Sequence, residues 1–303
     1  MLNTNNTQSN KNAKIISFIN MKGGVGKTTL CKEISQYLYK IKNKSILVID
    51  IDPQSNCTQS FFEHYNIFNK YNIDINENKI IKNEDSSKLA SIEHIFNKDF
   101  LVSDSEQLII ENLASKESSR FDLIPGDLRT VFMEREQSTG AAEKRLKTYI
   151  YKKKLRDKYD YIFIDCPPTY SFYTVAAMLT SDFYLVPVKP DAYSLLGLDL
   201  LDRVISDLES GNFDIFQDNH LINLGIIFTM VGSEKGFGKN IADIKSFLDE
   251  KNIYYFNSQF KFYSKLITSN LDKFITDRED TDLANQMEDI CNEFEKRVGE
   301  LNG

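Results

Sequence analysis

The chain has 303 residues, of which 41% are hydrophobic, with 37 basic and 44 acidic side chains and a formal charge of −7. The apolar share supports a buried core and argues against a disordered chain. The negative balance excludes a surface that is basic everywhere, so any contact with nucleic acid must come from a local patch. Cys31, Cys57, Cys166 and Cys291 are widely scattered, as are His64, His94 and His220. Without a C-x-x-C pair this speaks against a disulfide framework or a zinc site and fits a reducing cytoplasm. No apolar run has the length of a membrane span, and the N-terminus, rich in Asn, Thr and Ser, lacks an apolar signal core. The expectation is a flexible tail over 1–13 and one soluble, cytoplasmic domain over 14–303.

Ile15, Ile16, Phe18 and Ile19 form a short apolar run fit for a buried parallel strand. Leu30, Ile34, Leu38 and Ile41 then recur at helical spacing. Between them lies N-M-K-G-G-V-G-K-T-T, from Asn20 to Thr29. Strand, glycine loop and helix together make the context of a phosphate-binding loop. Glycines without Cβ let the loop curl with its N–H groups turned toward phosphate oxygens, at the positive end of the next helix. Gly23, Gly24, Val25, Gly26, Lys27, Thr28 and Thr29 are therefore the expected nucleotide contacts. Lys27 would reach the β- and γ-phosphates of ATP, and the Thr28 hydroxyl would ligate Mg²⁺. The usual pattern has a glycine five residues before Gly26, where this chain has Met21, and a second lysine, Lys22, follows it.

Ser45 to Asp50 reads as a second buried strand and runs into Asp50-Ile51-Asp52-Pro53-Gln54. Two carboxylates at the C-terminal end of a parallel strand belong beside the phosphate loop, because ligands bind at that edge. From about 62 to 91 the chain is dense in Asn, Lys, Asp and Glu and predicts a long polar excursion with at most short helices. Ser91 to Phe96 and Glu106 to Leu113 look helical, Phe121 to Pro125 extended, and Thr130 to Lys158 mainly helical. The second half of that last stretch carries eight basic residues, Lys144, Arg145, Lys147, Lys152, Lys153, Lys154, Arg156 and Lys158. Such a run is either a solvated face or a DNA-contact patch.

Tyr159 to Asp165 is a third strand, closed by Asp165-Cys166-Pro167-Pro168. An aspartate in that place is how phosphate-loop enzymes hold the Mg²⁺ water shell. Phe183 to Val188, Leu221 to Thr229 and Tyr254 to Phe260 complete the strands, with helices over Ser194 to Leu208 and Asp282 to Val298. Strands alternating with helices predict an α/β fold with a doubly wound, mostly parallel sheet. Thr229 and Met230, just past a strand end, are candidate adenine contacts.

The lysine at 22, the D-x-D-P-Q run, D-C-P-P, V-P-V before a helix containing G-L, and G-I-I-F-T-M together resemble the ParA/MinD family with its deviant phosphate loop. The resemblance runs from about Lys14 to Val298. It implies that Lys22 contacts phosphates across an ATP-sandwiched homodimer, that Asp52 positions the attacking water, and that Asp50 assists the Mg²⁺ water shell with Asp165. It also implies a partition ATPase whose dimer binds non-specific DNA and is released when a centromere-binding, ParB-like partner stimulates hydrolysis. Basic residues in the C-terminal part carry the DNA contact in the family, which points to Lys261 and Lys265.

Three related readings compete. A MinD-type membrane ATPase ends in a basic amphipathic helix, whereas the last helix here carries Asp282, Glu288, Asp289, Glu293 and Glu295, so no membrane contact is expected. An iron–sulfur reductase of the same superfamily needs paired cysteines, and these four lack that spacing. The same ATPase switch acting on a protein cargo, as in conjugation or chemosensory complexes, stays open.

Overall fold

The computed structural model describes residues 12–67, 73–74, 79–80, 91–96, 108–127, 140–191, 193–217, 220–232, 237–261 and 273–302. Three strands form the centre: β1 (Lys14–Phe18), β2 (Ile46–Asp50) and β7 (Tyr161–Asp165). All of β2 and β7 is buried, as parallel strands covered on both faces must be. They belong to an eight-stranded sheet with β5 (Ile110–Ser115), β6 (Arg120–Ile124), β8 (Phe183–Val188), β9 (Ile222–Val231) and β10 (Phe260–Lys261). The order is β10-β9-β8-β1-β7-β2-β6-β5, and only β5 runs antiparallel to its neighbour. Outside this sheet, β3 (Ile73–Asp74) pairs antiparallel with β4 (Lys79–Ile80).

Side chains alternate along each strand and divide the core in two. On one face Ile16, Val48 and Phe163 pack against α1 (Lys27–Lys40) through Leu30, Ile34 and Leu38, and against the closing helix Thr281–Glu300 through Met287, Ile290 and Phe294. On the other, Ile15, Leu47 and Ile162 meet helices Arg145–Lys152, Phe172–Thr180, Ser194–Gly211 and Phe237–Glu250, through residues such as Leu146, Ala176, Leu201 and Leu248. We number the helices in chain order: α1; α2, Asn56–His64; α3, Ile92–Phe96; α4, Gly140–Glu143; α5, Arg145–Lys152; α6, Phe172–Thr180; α7, Ser194–Gly211; α8, Phe213–Phe216; α9, Phe237–Glu250; α10, Thr281–Glu300. Among the described residues no helix is long and apolar enough to cross a membrane.

Several expectations need correction. Glu106 to Leu113 is not helical where it is described: Ile110–Ser115 is β5, paired with β6 as Ile110↔Leu123 and Ala114↔Phe121. Four positions on β5 thus span two on β6. The bulge holds Asn112 at φ 55° with its N–H donated to Asp122 Oδ1 at 2.7 Å. It breaks the period of two and leaves apolar spacings that imitate a helix. The extended Tyr254 to Phe260 run shrinks to β10 and a single bridge, Ile226↔Tyr255. Ile41 leaves the buried stripe of α1: it is the C-cap residue and 54% exposed. Helices α2, α6 and α9 have no counterpart in the sequence reading, and α2 reaches into the polar excursion. On α2, Phe61 stacks on Phe274 and meets Phe121 at a tilt, with ring centroids 5.3 and 5.2 Å away. Most of 62–91, and 130–139, lie outside the described residues.

Candidate functional site

The loop between β1 and α1 is shaped by backbone conformation and by ties to neighbouring strands. Gly24 and Gly26 take left-handed φ of 70° and 85°, which favour glycine. Asn20 anchors the entry, donating Nδ2 to the Pro187 carbonyl at 2.7 Å and accepting the Lys22 N–H at 2.9 Å. The Thr229 hydroxyl donates to the Val25 carbonyl at 2.6 Å and is fully buried. That bond ties the loop to β9, and Thr229 and Met230 lie within that strand, not past its end. Val25 is buried as well, so it faces the loop's interior with only its backbone available. Lys27 is 6% exposed and donates Nζ to the Lys22 carbonyl at 3.2 Å. Burial lowers its pKa from the ordinary lysine value, opposed by the nearby Asp165 and Asp52 carboxylates.

The three carboxylates named from the sequence come together at the same edge. Asp50 and Asp165 end β2 and β7 and are register partners across the parallel ladder. Both are fully buried, and Asp52 is 7% exposed. Asp50 Oδ2 accepts the backbone N–H and the hydroxyl of Thr58 at 2.8 and 2.7 Å, and its Oδ1 accepts the Asp52 N–H at 3.2 Å. Thr58 also takes the Gly126 N–H on its hydroxyl at 2.7 Å. At Gly126 a Cβ would stand 2.8 Å from Ser55 Oγ and 3.0 Å from Asp50 Cγ, so only glycine fits. Asp52 Oδ1 accepts the Gln54 N–H at 2.9 Å.

Asp165 differs. The Thr28 hydroxyl lies near enough to favour its charged form, yet neither carboxylate oxygen accepts a hydrogen bond of ordinary geometry. Burial and then repulsion from Asp50 raise the Asp165 pKa, and burial raises that of Asp50 and Asp52. A buried carboxylate with both oxygens unfilled calls for a cation or a proton. Among the described residues no three His, Cys, Asp or Glu side chains could hold a metal by themselves. Mg²⁺ keeps several waters and takes one or two carboxylates alongside phosphate oxygens, so it needs no such group, and Thr28, Asp165 and Asp50 are the residues that could hold it.

Sequence reasoning missed Asn20, Thr58 and Asp191. The first two act through bonds to distant segments; Asp191 forms an ion pair with Lys22. The DNA candidates divide: Lys261 is exposed on β10 with its N–H donated to Gln286 Oε1 at 3.0 Å, and Lys265 lies outside the described residues. Part of the basic run is committed elsewhere. Lys144 pairs with Asp214 at 3.3 Å, Arg145 donates to the Phe96 carbonyl, and Arg156 grips Asp182.

The profile of a family described as an AAA domain matches residues 13–215. The sporulation initiation inhibitor protein Soj of Bacillus subtilis strain 168 is 30% identical over 241 residues, 78% of this chain and 81% of Soj. The chromosome partitioning protein ParA of Caulobacter vibrioides is 25% identical over 240 residues, 78% of each chain. Among solved structures, a Borrelia burgdorferi B31 protein assigned to plasmid partition, with AMPPNP bound, superposes with a TM-score of 0.68 at 25% identity, over 95% of this chain and 100% of that one. With a family match over most of its length, the motifs in order at one sheet edge, and the shared fold, the chain belongs to the ParA-type partition ATPases of the P-loop class.

Proposed function

We propose that this chain is a Mg²⁺-dependent ATPase that partitions a plasmid or chromosome region, cycling between a monomer and an ATP-sandwiched homodimer. The observation that carries the reading is the buried Asp165 with both oxygens unfilled, set beside Asp50 and near Lys27 under a glycine loop. The chromosome partitioning protein ParA and the AMPPNP-bound Borrelia protein supply the partition context, and the latter the nucleotide.

In this reading the loop from Gly23 to Thr29 wraps the phosphates with its N–H groups. Lys27 sets its ammonium against the β- and γ-phosphates as a compact charge. Mg²⁺, when bound, neutralises phosphate charge; Thr28 supplies a hydroxyl to it, and Asp165 and Asp50 fix its waters. Asp52 orients the attacking water and accepts hydrogen bonds from it. Lys22 reaches the phosphates of the facing subunit. The dimer holds DNA without sequence preference through Lys261 and Lys265, which associates the otherwise cytoplasmic protein with the nucleoid, and a ParB-like partner hastens hydrolysis and release. No membrane contact is involved.

The test uses Asp52→Ala, which should bind ATP, dimerise and stall, with turnover down about 100-fold or more. With that dimer trapped, DNA affinity should fall steeply with salt, with a log–log slope of about −0.9 per phosphate neutralised. Unchanged hydrolysis in Asp52→Ala would return Asp52 to a turn-capping role. A trapped dimer that ignores DNA at low salt would move the function to a protein cargo.

A further inference from the structure

The ion pair between Lys22 and Asp191 joins the phosphate loop to a segment 169 residues away, just ahead of α7. It sits at the rim, with the two side chains 38% and 30% exposed. The rest of Lys22 is fixed: its N–H is held by Asn20 at 2.9 Å and its carbonyl accepts Lys27 Nζ at 3.2 Å. Only the side chain can swing. The carboxylate, in contrast, is built in place. Asp191 Oδ1 accepts the Tyr193 N–H at 3.1 Å and lies 3.1 Å from the Ser194 hydroxyl, while the Asp191 N–H donates to that same hydroxyl at 3.2 Å. Burial pushes the Asp191 pKa up, but the Lys22 ammonium and the Tyr193 N–H outweigh it and hold the group below the ordinary value. Tyr193, which precedes α7, and Leu196 and Leu200 on it are 73%, 70% and 50% exposed.

An acceptor that already holds Lys22 competes with any other anion that needs it. We infer that Asp191 is a latch, a positioning residue that keeps the Lys22 ammonium within its own subunit until nucleotide phosphates of a facing subunit draw it away, and so sets the threshold for ATP-dependent dimerisation. The inference rests on the reading of Lys22 as the cross-subunit contact. A half-exposed ion pair is a weak restraint, worth about a few-fold in an equilibrium, which suits a latch that has to open. The conformational cost is removed when the competing charge is removed.

The experiment measures the monomer–dimer constant by sedimentation with Mg²⁺ and AMPPNP in the wild type, Asp191→Asn, Lys22→Ala and the double variant. Asparagine keeps an acceptor for the Tyr193 N–H and loses the charge, so the turn ahead of α7 keeps that bond. The latch predicts that Asp191→Asn tightens the dimer about three- to tenfold with nucleotide affinity of the monomer unchanged. The gain should shrink at high salt, as screening weakens the wild-type pair, and vanish in the Lys22→Ala background. A dimer constant unchanged or weakened in Asp191→Asn overturns the latch while Lys22→Ala still abolishes dimerisation. If Lys22→Ala dimerises like the wild type, the reading of Lys22 itself fails.

Discussion

The two edges of the sheet treat their carboxylates, half-buried Asp182 and buried Asp122 against buried Asp50 and Asp165, in opposite ways. Toward the N-terminal ends of the strands, Asp182 accepts both Arg156 guanidinium nitrogens at 2.7 and 2.8 Å and the Ile15 N–H at 2.8 Å. Asp122, fully buried on β6, accepts the Tyr159 hydroxyl at 2.5 Å, Arg120 Nε at 2.6 Å and the Asn112 N–H at 2.7 Å. At the C-terminal ends, Asp165 has neither oxygen filled, and the carboxylate beside it is another acid, Asp50. Filled carboxylates hold the fold and leave nothing over for a ligand. Unfilled ones cost stability and keep their bonding capacity for one.

That contrast can be broken by substitution. The largest effect belongs to Lys27→Ala: titration calorimetry should show ATP binding weakened more than about 100-fold, because among the described residues no other lysine or arginine is buried. Next come two isosteric changes with opposite signatures. Asp165→Asn should remove a buried unpaired charge, leaving urea-measured stability of the nucleotide-free protein equal or higher by about 1 kcal/mol, while turnover with Mg²⁺-ATP falls about 100-fold. Asp122→Asn should cost about 1–3 kcal/mol by weakening its bonds to Arg120 and Tyr159, although Arg120 keeps Glu111 at 3.3 Å, yet leave nucleotide affinity intact in the folded fraction. Equal losses of stability in both variants would erase the distinction between the edges.

The smallest effect concerns Glu33, which lies on α1 away from both edges. Its Oε2 accepts the Ile275 N–H at 2.8 Å, and burial raises its pKa from 4.5 to about 7, against the pull of Lys32. With the folded pKa above the unfolded one, the native state binds more protons between pH 4.5 and about 7. Stability from this group is therefore greatest below pH 4.5 and is lost as the pH climbs through that window. Glu33→Gln should flatten this part of the thermal stability profile, raising Tm near pH 8 by on the order of a few degrees relative to the wild type. An unaltered slope would assign the titration to other groups.

Much of the site was legible because its pieces are local. The apolar run before Asn20, the glycines and the G-K-T-T ending lie between Ile15 and Thr29, and Asp50 and Asp165 each close their own buried strand. Periodicity and glycine chemistry report such short-range order. It reports poorly at sheet edges: β5 was mistaken for a helix because a bulge at Asn112 replaced its period of two.

The sequence by itself determined the alternation of strands and helices, the phosphate loop, and the carboxylates at strand ends, since propensity and spacing act along the chain. Only the tertiary structure decided that β7 lies between β1 and β2, so that Asp165 faces Asp50 from 115 positions away. It alone decided that Thr58 holds Asp50, that Thr229 serves the loop, and that Asp191 takes Lys22. It also took Lys144, Arg145 and Arg156 out of the apparent basic patch by giving them acceptors elsewhere. Those pairings depend on which strand lies next to which. Long-range packing chooses that order, and no local pattern carries it.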